Sequence, residues 1–166
     1  MVTTTYYYKS TLFFKGKAEL KNGNEEQIGI LDFRDEQSLG VDVLDLDGNL
    51  LLKADFLAYK THDWVVRDGS GNWIGTLKLE PTWFAEKYIY DAGNMGSFPI
   101  TPKKSRHFKM RTSDGMEIAE FYDKRRLFRA IPVYEIKLGP AYDNISKWEA
   151  IVVMIGVFYI KFRIKS

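Results

Sequence analysis

The stretch Asp143–Lys165, reading DNISKWEAIVVMIGVFYIKFRIK, limits what this chain of 166 residues can become, because no other strongly apolar segment is long enough to make a sizeable helix. Ser146 followed three residues later by Glu149 has the spacing of a capping box, in which each side chain accepts a bond from an N–H group that the first turn leaves unpaired. A helix therefore starts near Lys147. From Ala150 to Ile160 no side chain carries a polar group except the Tyr159 hydroxyl. A helix that is apolar all round has to be wrapped on every side.

What wraps it decides the fold. The eleven residues Ala150–Ile160 fall short of the ~20 that span a bilayer. Widening the window to Trp148–Ile164 brings in Glu149, Lys161 and Arg163, all costly at depth. A buried core helix over about 146–162 is the expectation, ahead of a membrane anchor. A strand is the third option, since Ile160, Phe162 and Ile164 alternate with Lys161, Arg163 and Lys165, and an extended tail is expected to follow the helix.

Before Asp143 the chain reads as strand after strand. Thr3–Phe14 is rich in Thr, Tyr and Phe, which suit a pleated surface. Ile28–Phe33, Leu39–Asp45 and Asn49–Ala54 follow, the last two joined across Asp47-Gly48, a strong hairpin signal. Trp64–Arg67 returns as Asn72–Leu79 after Asp68-Gly69-Ser70-Gly71, and His107–Thr112 returns as Met116–Tyr122 after Ser113-Asp114-Gly115. Trp83–Asp91, Leu127–Ile131 and Val133–Leu138 complete about a dozen short strands, at the spacing of a sandwich or barrel. Ala92–Arg106, with two Gly and two Pro, reads as a long surface loop.

Length and a 45% hydrophobic content suit one domain, residues 1–166, with a real core. The absence of cysteine excludes disulfides, thiol catalysis and thiolate metal sites. MVTTTYYYKSTLFF lacks the basic and then continuously apolar order of a secretory signal, so a cytoplasmic location is expected. Asn144-Ile145-Ser146 matches a glycosylation sequon, but its Ser reads as the helix cap. Net charge is only +2, yet residues 1–100 hold ten Lys/Arg against fifteen Asp/Glu while residues 101–166 hold fourteen against seven. Such asymmetry marks a surface for an anionic partner or two parts that neutralise each other.

Little in the sequence speaks for catalysis. His62 and His107 are the only histidines, without a metal-ligand spacing. Asp45–Asn49 fails the EF-hand pattern, because Leu50 stands where glycine must follow the third ligand. Ser70 has Asp68 where a nucleophile elbow needs glycine. No phosphate-binding glycine loop is present, so a non-enzymatic protein without a cofactor is expected. The better candidates are two basic clusters at loop positions: Lys103, Lys104 and Arg106, then Lys124, Arg125 and Arg126. Lysine attracts phosphate as a point charge and arginine as a bidentate fork. Taken singly, each cluster reads more readily as a solvated turn, and the presence of two in the basic part of the chain favours an anionic partner only modestly.

The order of these parts resembles a known family. Hairpins with Asp-x-x-Gly-like turns (VVRDGSGNWIGTLKL, then FKMRTSDGMEIAEF), a penultimate strand VYEIKL and a closing apolar helix look like the tubby C-terminal-like superfamily. The nearer likeness is to its LURP-one-related and phospholipid-scramblase-like branches, over about Tyr8 to Ile160. The resemblance implies a single closed antiparallel barrel of about twelve strands with the hydrophobic helix through its centre. It also implies binding of phospholipid or phosphoinositide headgroups by a protein peripheral at the membrane. The scramblases' cysteine cluster and spanning tail have no counterpart here. An anionic membrane surface or a phosphorylated ligand is therefore the expected partner, and a protein-interaction or regulatory module is the alternative. Nucleic acid ranks lower, because the aromatics do not interleave with the basic clusters.

Overall fold

A computed structural model of the chain describes residues 4–9, 16–34, 39–58, 61–83, 86–124 and 132–165. Its strands are β1 (Thr4–Lys9), β2 (Gly16–Asn22), β3 (Gln27–Phe33), β4 (Gly40–Leu44), β5 (Leu50–Phe56) and β6 (Trp64–Asp68). They continue as β7 (Trp73–Glu80), β8 (Lys87–Asp91), β9 (Ser97–Lys104), β10 (His107–Arg111), β11 (Glu117–Asp123) and β12 (Val133–Leu138). Each pairs antiparallel with the next, and β12 pairs with β1 in register from Thr4–Leu138 to Lys9–Val133, which closes the barrel. Strand alternation sets the two faces. Tyr6 and Tyr8, Leu31 and Phe33, Tyr88 and Tyr90, and Tyr134 and Ile136 point inward and are buried.

The interior is filled by α1 (Lys147–Lys165), and all residues from Ala150 to Ile160 are buried. Its contacts run round the wall. Trp148 lies over Gly29 of β3, where a Cβ would come within 3.2 Å of the indole. On β6, Trp64 Nε1 donates to the Val152 carbonyl at 3.0 Å. On β8, the Tyr90 hydroxyl donates to Glu149 at 2.5 Å. Phe158 meets Phe108 of β10 and Tyr134 of β12, with ring centroids 5.8 and 5.2 Å apart. A helix touched from β3, β6, β8, β10 and β12 passes through the middle of the barrel, whose lumen matches its ~10–12 Å thickness.

The capping box closes as expected. The Glu149 N–H donates to Ser146 Oγ at 3.1 Å, and the Ser146 N–H donates back to the Glu149 carboxylate. Burial nonetheless raises the Glu149 pKa above the usual carboxylate range. At the other terminus the helix runs on to Lys165, so no extended tail begins at Ile160. Side chains of the last turns bond the barrel rim, Lys161 to the Ser105 carbonyl and Arg163 to that of Thr61 at 3.0 Å. These cations also suit a helix C-terminus.

One loop expectation and two strand boundaries need correction, and parts of the expected strands fall outside the described residues. Ala92–Arg106 is not a loop but a short 3-10 turn, Gly93–Met95, and then β9. Phe98 and Ile100 face inward, and the ladder tolerates Pro102 because Lys103 is extra there: His107 faces Lys104 while Phe108 faces Pro102. Of the opening strand expected over Thr3–Phe14, Thr4–Lys9 is β1 and the remainder lies outside the described residues, while Gly16–Asn22 forms β2, a strand the sequence reading did not assign. Trp83–Asp91 contracts to β8, leaving Trp83 in a connection. The expected strand Leu127–Ile131 lies outside the described residues.

Four hairpins use one five-residue turn: Asn22–Glu26, Asp45–Asn49, Asp68–Asn72 and Thr112–Met116. In each, the first N–H bonds the fifth carbonyl at 2.8–3.0 Å, and the fourth N–H bonds the first carbonyl at 3.0–3.1 Å. The first side chain also accepts the fifth N–H, as Asp45 does from Asn49 at 2.8 Å and Asp68 from Asn72 at 2.9 Å. The fourth residue is left-handed, with φ of 86° at Gly48, 89° at Gly71 and 93° at Gly115. In the second hairpin that residue is Gly71, not the Gly69 of the Asp-Gly pair.

Because strand direction alternates, the β2–β3, β4–β5, β6–β7, β8–β9 and β10–β11 connections share one end, where α1 also enters. Glu25, Glu26, Asp45, Asp47, Asp68, Asp91 and Asp114 gather there. The β5–β6, β7–β8, β9–β10 and β11–β12 connections and the C-terminus of α1 share the other end. Between the ends the outer wall is charged: Arg34 pairs with Asp42 at 2.6 Å and Asp55 at 2.8 Å, and Arg67 with Asp55 at 3.1 Å. A wall facing lipid would be apolar there.

Candidate anion-binding end of the barrel

Lys103, Lys104 and Arg106 surround the tight turn from β9 to β10, and all three are exposed. Lys124 follows the last residue of β11. The fold brings these two groups together, because the Asp123 N–H donates to the Arg106 carbonyl at 2.9 Å. Arg125 and Arg126 lie outside the described residues.

The four cations are not equivalent. Lys124 is committed to Glu135, with its Nζ 2.6 Å from the carboxylate. Lys103 leans toward Lys109, whose hydrogen bond and charge, together with some desolvation, lower the Lys103 pKa below the ordinary lysine range. Lys109 is itself held by Glu117 at 3.1 Å and Glu120 at 3.2 Å. Lys104 and Arg106 have no ion pair among the described residues. An ion entering beside this turn would meet these two charges first.

Glu120, on the outer face of β11, anchors the ground beneath. It accepts from the Tyr122 hydroxyl, lies 2.6 Å from His107 Nε2, and pairs with Lys109. Burial of its carboxyl opposes the charge, but these bonds outweigh burial and draw its pKa down to about 2. His107 stacks on Tyr122 with centroids 4.1 Å apart. This histidine belongs to the wall network, and no group of three or more His, Asp or Glu among the described residues could hold a metal ion.

Sequence reading missed the helix terminus as part of this end. Lys161 reaches the Ser105 carbonyl inside the β9–β10 turn and stands 3.7 Å from Glu86 in the β7–β8 connection. Arg163 reaches Thr61 in the β5–β6 connection and lies 4.4 Å above the Phe56 ring. Only the KFRIK run itself could have signalled this.

The opposite end has a cleft of about 520 Å³ where α1 enters, bordered by Thr4, Tyr6, Ser146 and Glu149. None of the expected cations lines it. Its buried carboxylate is already engaged by Tyr90 and by the helix cap.

No helix is long and apolar enough to cross a membrane among the described residues. Comparison with protein-family models finds no match, and comparison with curated proteins finds none either. The X-ray structure of an Arabidopsis thaliana protein, AT5G01750, superposes with a TM-score of 0.61 over 93% of this chain and 88% of that one, at 12% identity. What this chain shares with it is the fold: a closed antiparallel barrel of twelve strands around one C-terminal helix.

Proposed function

We propose that this chain is a non-enzymatic, tubby-like barrel that binds anionic phospholipid or phosphoinositide headgroups as a cytoplasmic protein peripheral at a membrane. The observation that carries the reading is the sorting of charge by barrel end. Lys104 and Arg106 stand exposed beside Lys103 at one end, while the aspartate turns lie at the other. The likeness of the hairpin order and closing helix to the tubby C-terminal-like superfamily supports it, as does the agreement in fold with the Arabidopsis protein.

Each cation near an anionic surface contributes about 1 kcal/mol. Co-sedimentation with phosphatidylcholine vesicles, with and without phosphatidylserine, across a salt series tests the reading. Binding should need the anionic lipid and fade as salt screens it. Reversing Lys103, Lys104 and Arg106 together to Glu should weaken it about a hundredfold or more. Lys124→Ala should change it little, since Glu135 already neutralises that charge. Absence of binding to both vesicle types would leave a protein-interaction module as the reading, one that the exposed Trp83 favours.

A further inference from the structure

Among the described residues three large apolar side chains stand exposed at the basic end, and they come from distant parts of the sequence. Leu57 in the β5–β6 connection is 58% exposed, Trp83 in the β7–β8 connection 96%, and Phe162 on the last turns of α1 64%. The helix terminus gathers them. Lys161 bonds the β9–β10 turn and approaches Glu86, three residues from Trp83, while Arg163 bonds Thr61, four residues from Leu57. Phe162 lies between those two cations in sequence. We propose that this end enters the bilayer interface end-on, with Trp83, Phe162 and Leu57 seated below the headgroups and the exposed Lys104 and Arg106 on lipid phosphates. The proposal rests on the headgroup reading above and adds to it an orientation and an apolar tip that penetrates.

Apolar exposure alone does not choose an end, because Leu46, Trp73, Met95 and Met116 are exposed at the other one. Charge chooses. Those four stand among Asp45, Asp47, Asp68, Asp91 and Asp114, so an anionic surface repels that end. At the basic end the carbonyls of the α1 C-terminus carry about half a negative charge, and Lys161 and Arg163 stand in the last turns to offset it. A tryptophan on the same end as exposed cations is the side-chain set that settles at a membrane–water boundary, with an apolar ring, a polar N–H and charges at headgroup level. The charged outer wall limits penetration to the tip, since Lys109, Glu120, Glu135 and Lys137 on β10–β12 would have to be desolvated next.

The tryptophans provide the test. Trp64 is buried, Trp148 packs against the core, and Trp73 and Trp83 are exposed at opposite ends. Vesicles of phosphatidylcholine and phosphatidylserine with brominated acyl chains quench only a ring that reaches the chains. Trp73→Phe, which keeps Trp83, should be quenched and blue-shifted on these vesicles, whereas Trp83→Phe should not. Trp83→Ala and Phe162→Ala should each weaken partitioning about tenfold, with far-UV circular dichroism unchanged. If anionic vesicles bind without quenching and both alanine variants bind like wild type, insertion is overturned while the headgroup reading stands. Quenching that follows Trp73 overturns the orientation, and no binding to anionic vesicles overturns both readings.

Discussion

Gly156 shows at single-residue scale how tightly helix and barrel are matched. Glycine inside a helix costs about 1 kcal/mol relative to alanine, yet a Cβ here would come within 2.7 Å of the Trp64 Cγ and Nε1. The indole cannot move aside without losing its bond to the Val152 carbonyl. Gly156→Ala should therefore destabilise the protein by about 1–3 kcal/mol despite its better propensity, read as a lower denaturant midpoint. Glu120 makes a second prediction. Its folded pKa of about 2 lies below the usual value near 4.5, so its contribution is complete above about 4.5 and is lost as pH falls toward about 2. In melts across that range, wild type should lose stability more steeply than Glu120→Gln, and the two should converge at the acid limit. The Ser146–Glu149 cap was legible because its partners are three residues apart. The Trp64–Val152 bond was not, because 88 residues separate them and only barrel closure joins them.

Among the elements, the hairpins were legible through their turns and the missed strands through nothing comparable. β9 hides behind Pro99 and Pro102, ordinarily breakers, which the ladder accommodates with a bulge at Lys103. β2 hides because GKAELKN buries only Leu20 completely and otherwise looks like a polar loop. The turn that matters has an Asp, Asn or Thr cap and glycine at its fourth position, and one copy departs at that fourth position: Glu25 takes the left-handed conformation at φ 64° where glycine stands elsewhere. A residue with a Cβ pays about 1–2 kcal/mol for that conformation. Glu25→Gly should accordingly raise stability by about 0.5–1 kcal/mol, and Gly115→Ala, at φ 93°, should lower it by at least as much. Thermal melts of the two variants check both signs.

For the whole molecule, the charge asymmetry read from the sequence turns out to be an asymmetry of ends. A meander returns every second turn to the same end, so Asp45, Asp68 and Asp114 converge although the first and last are 69 positions apart. The basic cluster Lys103–Arg106 was legible as a run of cations. Its bond from Lys161 was not, because that depends on α1 passing through the barrel and leaving at that rim. A fold shared at 12% identity is consistent with this division: alternation, turn caps and an apolar helix specify the barrel, while the rims are open to vary. The central claim is that the basic end meets the membrane. The chain has no cysteine, so Ser105→Cys and Ser70→Cys each allow an uncharged, polarity-sensitive dye to be placed at one end only. On anionic vesicles at low salt the Ser105 label should shift to the blue and the Ser70 label should not; a shift at Ser70 alone, or at neither position, would contradict the account.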